Sequence, residues 1–158
     1  MSIETLTIAG FNNKKMKNTR KIVVIEGDDS LRVLLDRMLG KYFSAECFKH
    51  GFEALAWLAD GNETQLILAD LTMSDTSGMN FLENVKTSGM YQNIPVIVLS
   101  DNNPFKESRC LELGALSYIT KPFKPEALVD FIIHTMNTET QKTILQKTNN
   151  YVQFNRNA

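Results

Sequence analysis

Leu66-Ile67-Leu68-Ala69-Asp70 decides the fold: four apolar residues run without alternation and stop at an acid. An apolar run this short, with no polar residue on either side of the pleat, reads as a strand buried on both faces, as in a parallel sheet. The pattern recurs outward in both directions. Ile22-Val23-Val24-Ile25 is a β-branched run ending in Glu26-Gly27-Asp28-Asp29, and Pro95-Val96-Ile97-Val98-Leu99 ends at Ser100-Asp101-Asn102. Two weaker strands complete the set: Ser44 to Lys49, and Ser117-Tyr118-Ile119-Thr120, which ends at Lys121-Pro122.

Helical periods fill the gaps. Leu31, Leu34, Leu35, Met38 and Leu39 recur at i, i+3, i+4, i+7 and i+8, with Asp29 or Ser30 to cap the start and Gly40 to end it. Gly51 to Ala59 carries Phe52, Leu55 and Leu58. Met79, Phe81, Leu82 and Val85 mark a helix closing before Gly89, after a polar turn over 74–78. Phe105 to Leu113 reads as a fourth helix ending at Gly114. Pro125 fits the first turn of a fifth, with Leu128, Phe131 and Ile132 inward. Five strands alternating with five helices predict an α/β chain, a parallel sheet with helices on both faces.

The rest of the chain bounds the function. Residues 1–20 lack any period and carry Lys14, Lys15, Lys17 and Arg20 against one acid, Glu4, so they read as a flexible basic arm. Residues 137–158 are polar and either extend the last helix or hang loose. Of 158 residues, 43% are hydrophobic and 22% charged, and 17 basic against 18 acidic residues leave a net charge of -1. That balance gives no reason to expect non-specific nucleic-acid binding. No apolar run approaches the roughly 20 residues that span a bilayer. Cys47 and Cys110 lack metal-ligand spacing and read as reduced thiols of a cytoplasmic protein. His50 and His134 share no motif, and Trp57 and the phenylalanines fall at core spacings.

The chemistry collects at the strand ends. In open α/β sheets the ligand crevice lies at the carboxyl ends of the strands, where Glu26, Asp28, Asp70, Ser100 and Lys121 all fall. Asp70 is suited to act as a carboxylate nucleophile toward a phosphoryl group. Such transfer needs a bridging cation and donors for the equatorial oxygens. Glu26 and Asp28 offer hard oxygens to Mg²⁺, Lys121 a positive charge and Ser100 a hydroxyl. Asp28 and Asp29 equally fit plain helix N-caps. A phosphatase using Asp70 would want a second acid two residues on, where Thr72 stands.

These segments together resemble the receiver domain of two-component response regulators over residues 21–136. The resemblance rests on Lys21-Ile22-Val23-Val24-Ile25-Glu26-Gly27-Asp28, on Leu68-Ala69-Asp70-Leu71-Thr72-Met73-Ser74-Asp75-Thr76-Ser77-Gly78, on Pro95 to Ser100, and on Gly114 to Phe123. It implies a flavodoxin-like (βα)5 fold with strand order 2-1-3-4-5. It implies that Asp70 accepts a phosphoryl group from a sensor histidine kinase or phosphotransfer protein, in a non-enzyme that at most catalyses its own phosphorylation and dephosphorylation. Ser100 and Lys121 would contact that group, and Tyr118 would be the aromatic switch. Thr72 would lend a backbone carbonyl to Mg²⁺, beside Glu26, Asp28 and Asp70, and Thr72 and Asn102 would tune dephosphorylation. The readout would be the face of the fourth helix, fifth strand and fifth helix, toward a downstream protein or a second copy. Residues 137–158 are too short for a DNA-binding effector.

One departure stands out. The family places two adjacent acids after the first strand, and here the second falls on Gly27, which has no side-chain oxygen. Either Asp28 compensates through a shifted loop, or metal binding is weak. In the second case the chain would be a pseudo-receiver, an interaction module that acts without phosphorylation.

Overall fold

The computed structural model of the chain describes residues 20–72 and 77–156. Five strands alternate with five helices: β1 Lys21–Ile25, α1 Asp29–Leu39, β2 Ser44–Phe48, α2 Gly51–Ala59, β3 Leu66–Asp70, α3 Ser77–Thr87, β4 Val96–Ser100, α4 Pro104–Glu112, β5 Ser117–Thr120 and α5 Pro125–Arg156. All strand pairs are parallel, in the order β2-β1-β3-β4-β5. The register sets Ile22 beside Leu66, Ile67 beside Val96 and Ile97 beside Ser117.

Strict alternation along each strand builds two cores. Val23, Ile25, Ile67, Ala69, Val96 and Val98 face α2 and α3, and Cys110 of α4 joins them. Ile22, Val24, Leu66, Leu68, Ile97 and Leu99 face α1 and α5, meeting Leu35, Leu39, Leu128 and Ile132. The central strands are therefore apolar on both faces, which is why their sequences do not alternate. Each fully buried Ile or Leu contributes about 1.5–3 kcal/mol to this arrangement. Because β1 feeds outward to β2 and the chain then returns to β3, the sheet switches direction between β1 and β3. A crevice opens at the carboxyl ends of those two strands, and Glu26 and Asp70 end them.

Several local expectations change. Of the caps the sequence offered for α1, Asp28 takes the role rather than Asp29 or Ser30, and its carboxylate accepts the Leu31 N–H at 2.8 Å. Phe52 is exposed, stacked on the His50 ring 5.4 Å away. Ala54 and Leu58 face the core, and Phe52, two residues before Ala54, lies about 200° round the helix. Phe105 and Phe131 are likewise exposed rather than core residues. Cys110 is buried as expected, and Cys47 is half-buried.

Residues 137–156 extend α5 instead of hanging loose. Three of the threonines that make this stretch polar are satisfied within the helix. Thr138, Thr140 and Thr143 donate to the carbonyls of His134, Met136 and Glu139. Arg20 lies against this helix, bonded to Asn137 at 3.0 Å and 5.6 Å from the Phe43 ring. The rest of the expected basic arm and most of the 74–78 turn lie outside the described residues. Among those described, no helix is long and apolar enough to cross a membrane.

Candidate functional site

Three side chains meet at the switch point. Glu26, immediately after β1, is 1% exposed, and Asp70 ends β3 with its side chain 6% exposed. Lys121, just beyond β5, reaches back between them. Its Nζ donates to Asp70 Oδ2 at 2.8 Å and to Glu26 Oε2 at 3.3 Å. The Lys121 main chain is fixed as well, its N–H donating to the Ser100 carbonyl at 2.8 Å. The remaining carboxylate oxygens are also occupied. Asp70 Oδ1 accepts the Thr72 N–H at 2.8 Å and the Thr72 hydroxyl, and Glu26 Oε1 accepts the Asp28 N–H at 2.9 Å.

The two carboxyls are pushed apart in acidity. Burial raises Glu26, and the neighbouring Asp70 raises it further. Burial pushes Asp70 the same way, but hydrogen bonds from Lys121, Thr72 and Glu26 outweigh it and hold Asp70 below the ordinary value. Burial alone would lower Lys121, but the two acids raise it. Glu26 is thus the partner that takes a proton first, and Asp70 is the ionised one. An ionised, almost enclosed carboxylate beside an ammonium is suited to attack an electrophile whose oxygens the ammonium then meets.

Ser100 ends β4 and is fully buried, yet its hydroxyl is spent on its neighbour, donating to Asp101 Oδ1 at 2.9 Å. Tyr118 donates its phenol to the Asp101 carbonyl at 2.6 Å, and burial pushes the phenol pKa up, making it a weaker acid. Asn102 is exposed in the turn before α4, and Asn103 caps that helix through Lys106 N–H at 3.1 Å. The structure therefore gathers Glu26, Asp70, Lys121 and Thr72 in one group, and joins Ser100 and Tyr118 through Asp101.

Asp28 stands apart, committed to the α1 cap. Gly27 does not give the loop an unusual turn: among the described residues positive φ occurs at Gly61 and Gly114. No three acidic, histidine or cysteine side chains come together as a metal cage among the described residues. Magnesium needs less than a cage, because one or two carboxylates and retained waters commonly suffice. Asp70 and Glu26 fit that role. Gly27 lines a cavity of about 350 Å³ next to Asp70, with Lys49, His50 and Asn80 on its wall.

Two participants were not picked out from the sequence. Arg32 donates to the Glu26 carbonyl at 2.9 Å and to Asp29 at 2.7 Å, stiffening the β1–α1 turn. Asp101 binds both Ser100 and Tyr118. Its signal was an acid placed directly after the strand-end hydroxyl.

Comparison with known proteins bears on this arrangement. Residues 22–133 match the response regulator receiver domain family. The Arabidopsis thaliana two-component response regulator ARR8 is 31% identical over 149 residues, covering 80% of this chain and 66% of its own length. The rice two-component response regulator-like PRR37 (Oryza sativa subsp. indica) is 28% identical over 121 residues, covering 75% of this chain and 16% of its own. The chain thus spans less than two thirds of these relatives. Among solved structures, the signal receiver domain of a histidine kinase from Syntrophus aciditrophicus superposes with a TM-score of 0.68 at 26% identity, covering 76% of this chain and 92% of that one. With the sheet order 2-1-3-4-5 and an acid at the end of β3, these matches show that the chain belongs to the response regulator receiver domain family.

Proposed function

We propose that the chain is a phosphorelay receiver whose Asp70 takes a phosphoryl group from a histidine kinase or phosphotransfer protein. The observation that carries this is the Glu26–Lys121–Asp70 group, a nearly enclosed ionised carboxylate with a cation 2.8 Å away at the sheet's switch point. In the step, an Asp70 carboxylate oxygen attacks phosphorus and the P–N bond of a phosphohistidine breaks. The donor imidazole, protonated on its other ring nitrogen, leaves neutral with the bonding pair. Lys121 moves from carboxylate to phosphoryl oxygen, and Ser100 turns its hydroxyl to another. Bound Mg²⁺ would be held by Asp70 and Glu26, with the Thr72 carbonyl, and would neutralise charge on the transferring group. Thr72, bonded to Asp70, and Asn102, exposed before α4, would tune the lifetime of the phosphoryl group. Tyr118 follows Ser100 and reshapes the α4-β5-α5 face for a downstream protein or a second copy.

A second reading has one observation behind it. Gly27 offers no ligand and Asp28 is held in a helix cap, so Lys121 serves as counter-ion to both remaining acids. A pseudo-receiver would keep that trio unchanged and act without phosphate. Incubation with phosphoramidate and Mg²⁺, followed by intact mass, decides between them. Addition of one phosphoryl group, abolished by Asp70→Asn, supports the receiver. No addition at any metal concentration supports the pseudo-receiver.

A further inference from the structure

The Ser100 hydroxyl has a single proton to donate, and Asp101 holds it at 2.9 Å. The same Asp101 Oδ1 takes Lys106 Nζ at 3.1 Å, and the Asp101 carbonyl takes the Tyr118 phenol at 2.6 Å. Lys106 lies in the first turn of α4, where its own N–H is fixed by Asn103. One residue therefore ties together the strand-end hydroxyl, the aromatic ring and the start of a helix. We propose that Asp101 is a positioning residue whose carboxylate holds Ser100 at rest by competing with a phosphoryl group on Asp70 for the Ser100 proton, beside the main-chain carbonyl that anchors Tyr118. This rests on the phosphoacceptor reading above.

The physical case is a competition between anions. An ionised acceptor binds a hydroxyl more strongly than a neutral one, so Ser100 leaves Asp101 only for another charged oxygen. Asp101 remains ionised in neutral solution, because the Ser100 hydrogen bond and the Lys106 ammonium hold its carboxyl below the ordinary range. The Asp101 side chain is 51% exposed, so water weakens the bond without abolishing it. Lys106, 18% exposed, is left as the carboxylate's partner when Ser100 departs. Release is therefore felt at the first turn of α4. An alanine at position 101 would leave Ser100 without a charged acceptor and make the switch easier.

The test is a double-mutant cycle. Wild type, Asp101→Ala, Ser100→Ala and the double variant are titrated with beryllofluoride at saturating Mg²⁺, and bound fluoride is followed by fluorine-19 NMR. Asp101→Ala is expected to bind the mimic about tenfold more tightly, the size of one hydrogen bond to a charged acceptor. In the Ser100→Ala background that gain disappears. Asp101→Asn, which keeps the shape and loses the charge, falls between. Equal tightening in both backgrounds would mean plain charge repulsion and would overturn the proposal, as would no tightening at all. If no variant takes the mimic, the phosphoacceptor reading falls on its own. The holding bond is then read separately, by carbon-13 titration of the Asp101 carboxyl. A midpoint raised by Ser100→Ala supports the bond, and an unmoved midpoint overturns it.

Discussion

Replacing Lys121 by Met removes the cation that lies between Glu26 and Asp70 and puts a thioether in its place. At 2.8 and 3.3 Å the two contacts are each worth about 5–6 kcal/mol of Coulomb energy at an effective dielectric of about 20. Most of that is offset by the cost of desolvating the ammonium and fixing a flexible side chain. Breaking a buried pair by removing one partner costs roughly 3–5 kcal/mol. Two features lower the figure here. Burial and the neighbouring Asp70 raise Glu26, so it takes up a proton more readily than Asp70 and eases the stranded charge. Lys121 is 24% exposed, so water reaches the gap. The expected loss is about 2–3 kcal/mol at about pH 7.5, read as a fall of about 1–1.5 M in the urea midpoint for a slope near 2 kcal/mol/M. Trp57, packed 5.9 Å from Phe48, reports unfolding by its fluorescence.

The sign of the pH dependence follows from Asp70. In the wild type its folded value lies below the ordinary 3.8, so its stabilisation is present above 3.8 and is lost as pH falls through the lower folded value. Without Lys121, burial acts on Asp70 with less opposition and raises it. The variant then protonates Asp70 in mild acid and is relieved, and the wild type keeps its full contribution. The deficit therefore shrinks between about pH 7.5 and about pH 4.5. Adding Asp70→Asn to Lys121→Met removes the stranded charge and is expected to recover most of the loss. A deficit under about 0.5 kcal/mol, or one equal at both pH values, would refute the reasoning, because it would mean that the carboxylates are already solvated.

Three further outcomes are expected. Asp28→Ala should cost about 1 kcal/mol of unfolding free energy through the lost α1 cap, and leave Mg²⁺ affinity unchanged when titrated calorimetrically. Gly27→Asp should tighten Mg²⁺ about tenfold in the same calorimeter by adding a carboxylate beside Asp70, and no change would place position 27 out of reach of the metal. Cys47, pushed up to about 12 by burial and the Asp36 carboxylate, should react with a disulfide reagent at about pH 8 on the order of 10³-fold more slowly than a free thiol. Asp36→Asn should speed that reaction.

Much of the architecture was legible because burial on both faces leaves a simple trace. Val96 to Ser100 is wholly buried, and nothing polar interrupts it until the hydroxyl. The acid at the end of β3 and the lysine after β5 could be assigned to one crevice because a parallel sheet puts every carboxyl end on the same edge. The helices were less faithful. Phe52 and Phe105 count as apolar in any periodicity, but a helix of nine residues has room for few inward positions, here Ala54 and Leu58 in α2 and Cys110 in α4. The polar end of α5 was not assigned to a helix from the sequence, because the Thr138, Thr140 and Thr143 hydroxyls are satisfied by the helix's own carbonyls rather than by a core.

The sequence by itself determined the strands, their alternation with helices and the set of residues at the strand ends. Those follow from side-chain size and polarity taken in order along the chain. Only the tertiary structure decided what each polar group at that edge is bonded to. Asp28 went to a helix cap, Lys121 to two acids more than fifty residues away or close to a hundred, and Ser100 and Tyr118 to Asp101. A hydrogen bond depends on distances of a few tenths of an ångström between groups brought together by folding. Order along the chain specifies which groups reach the crevice, and packing alone selects their partners.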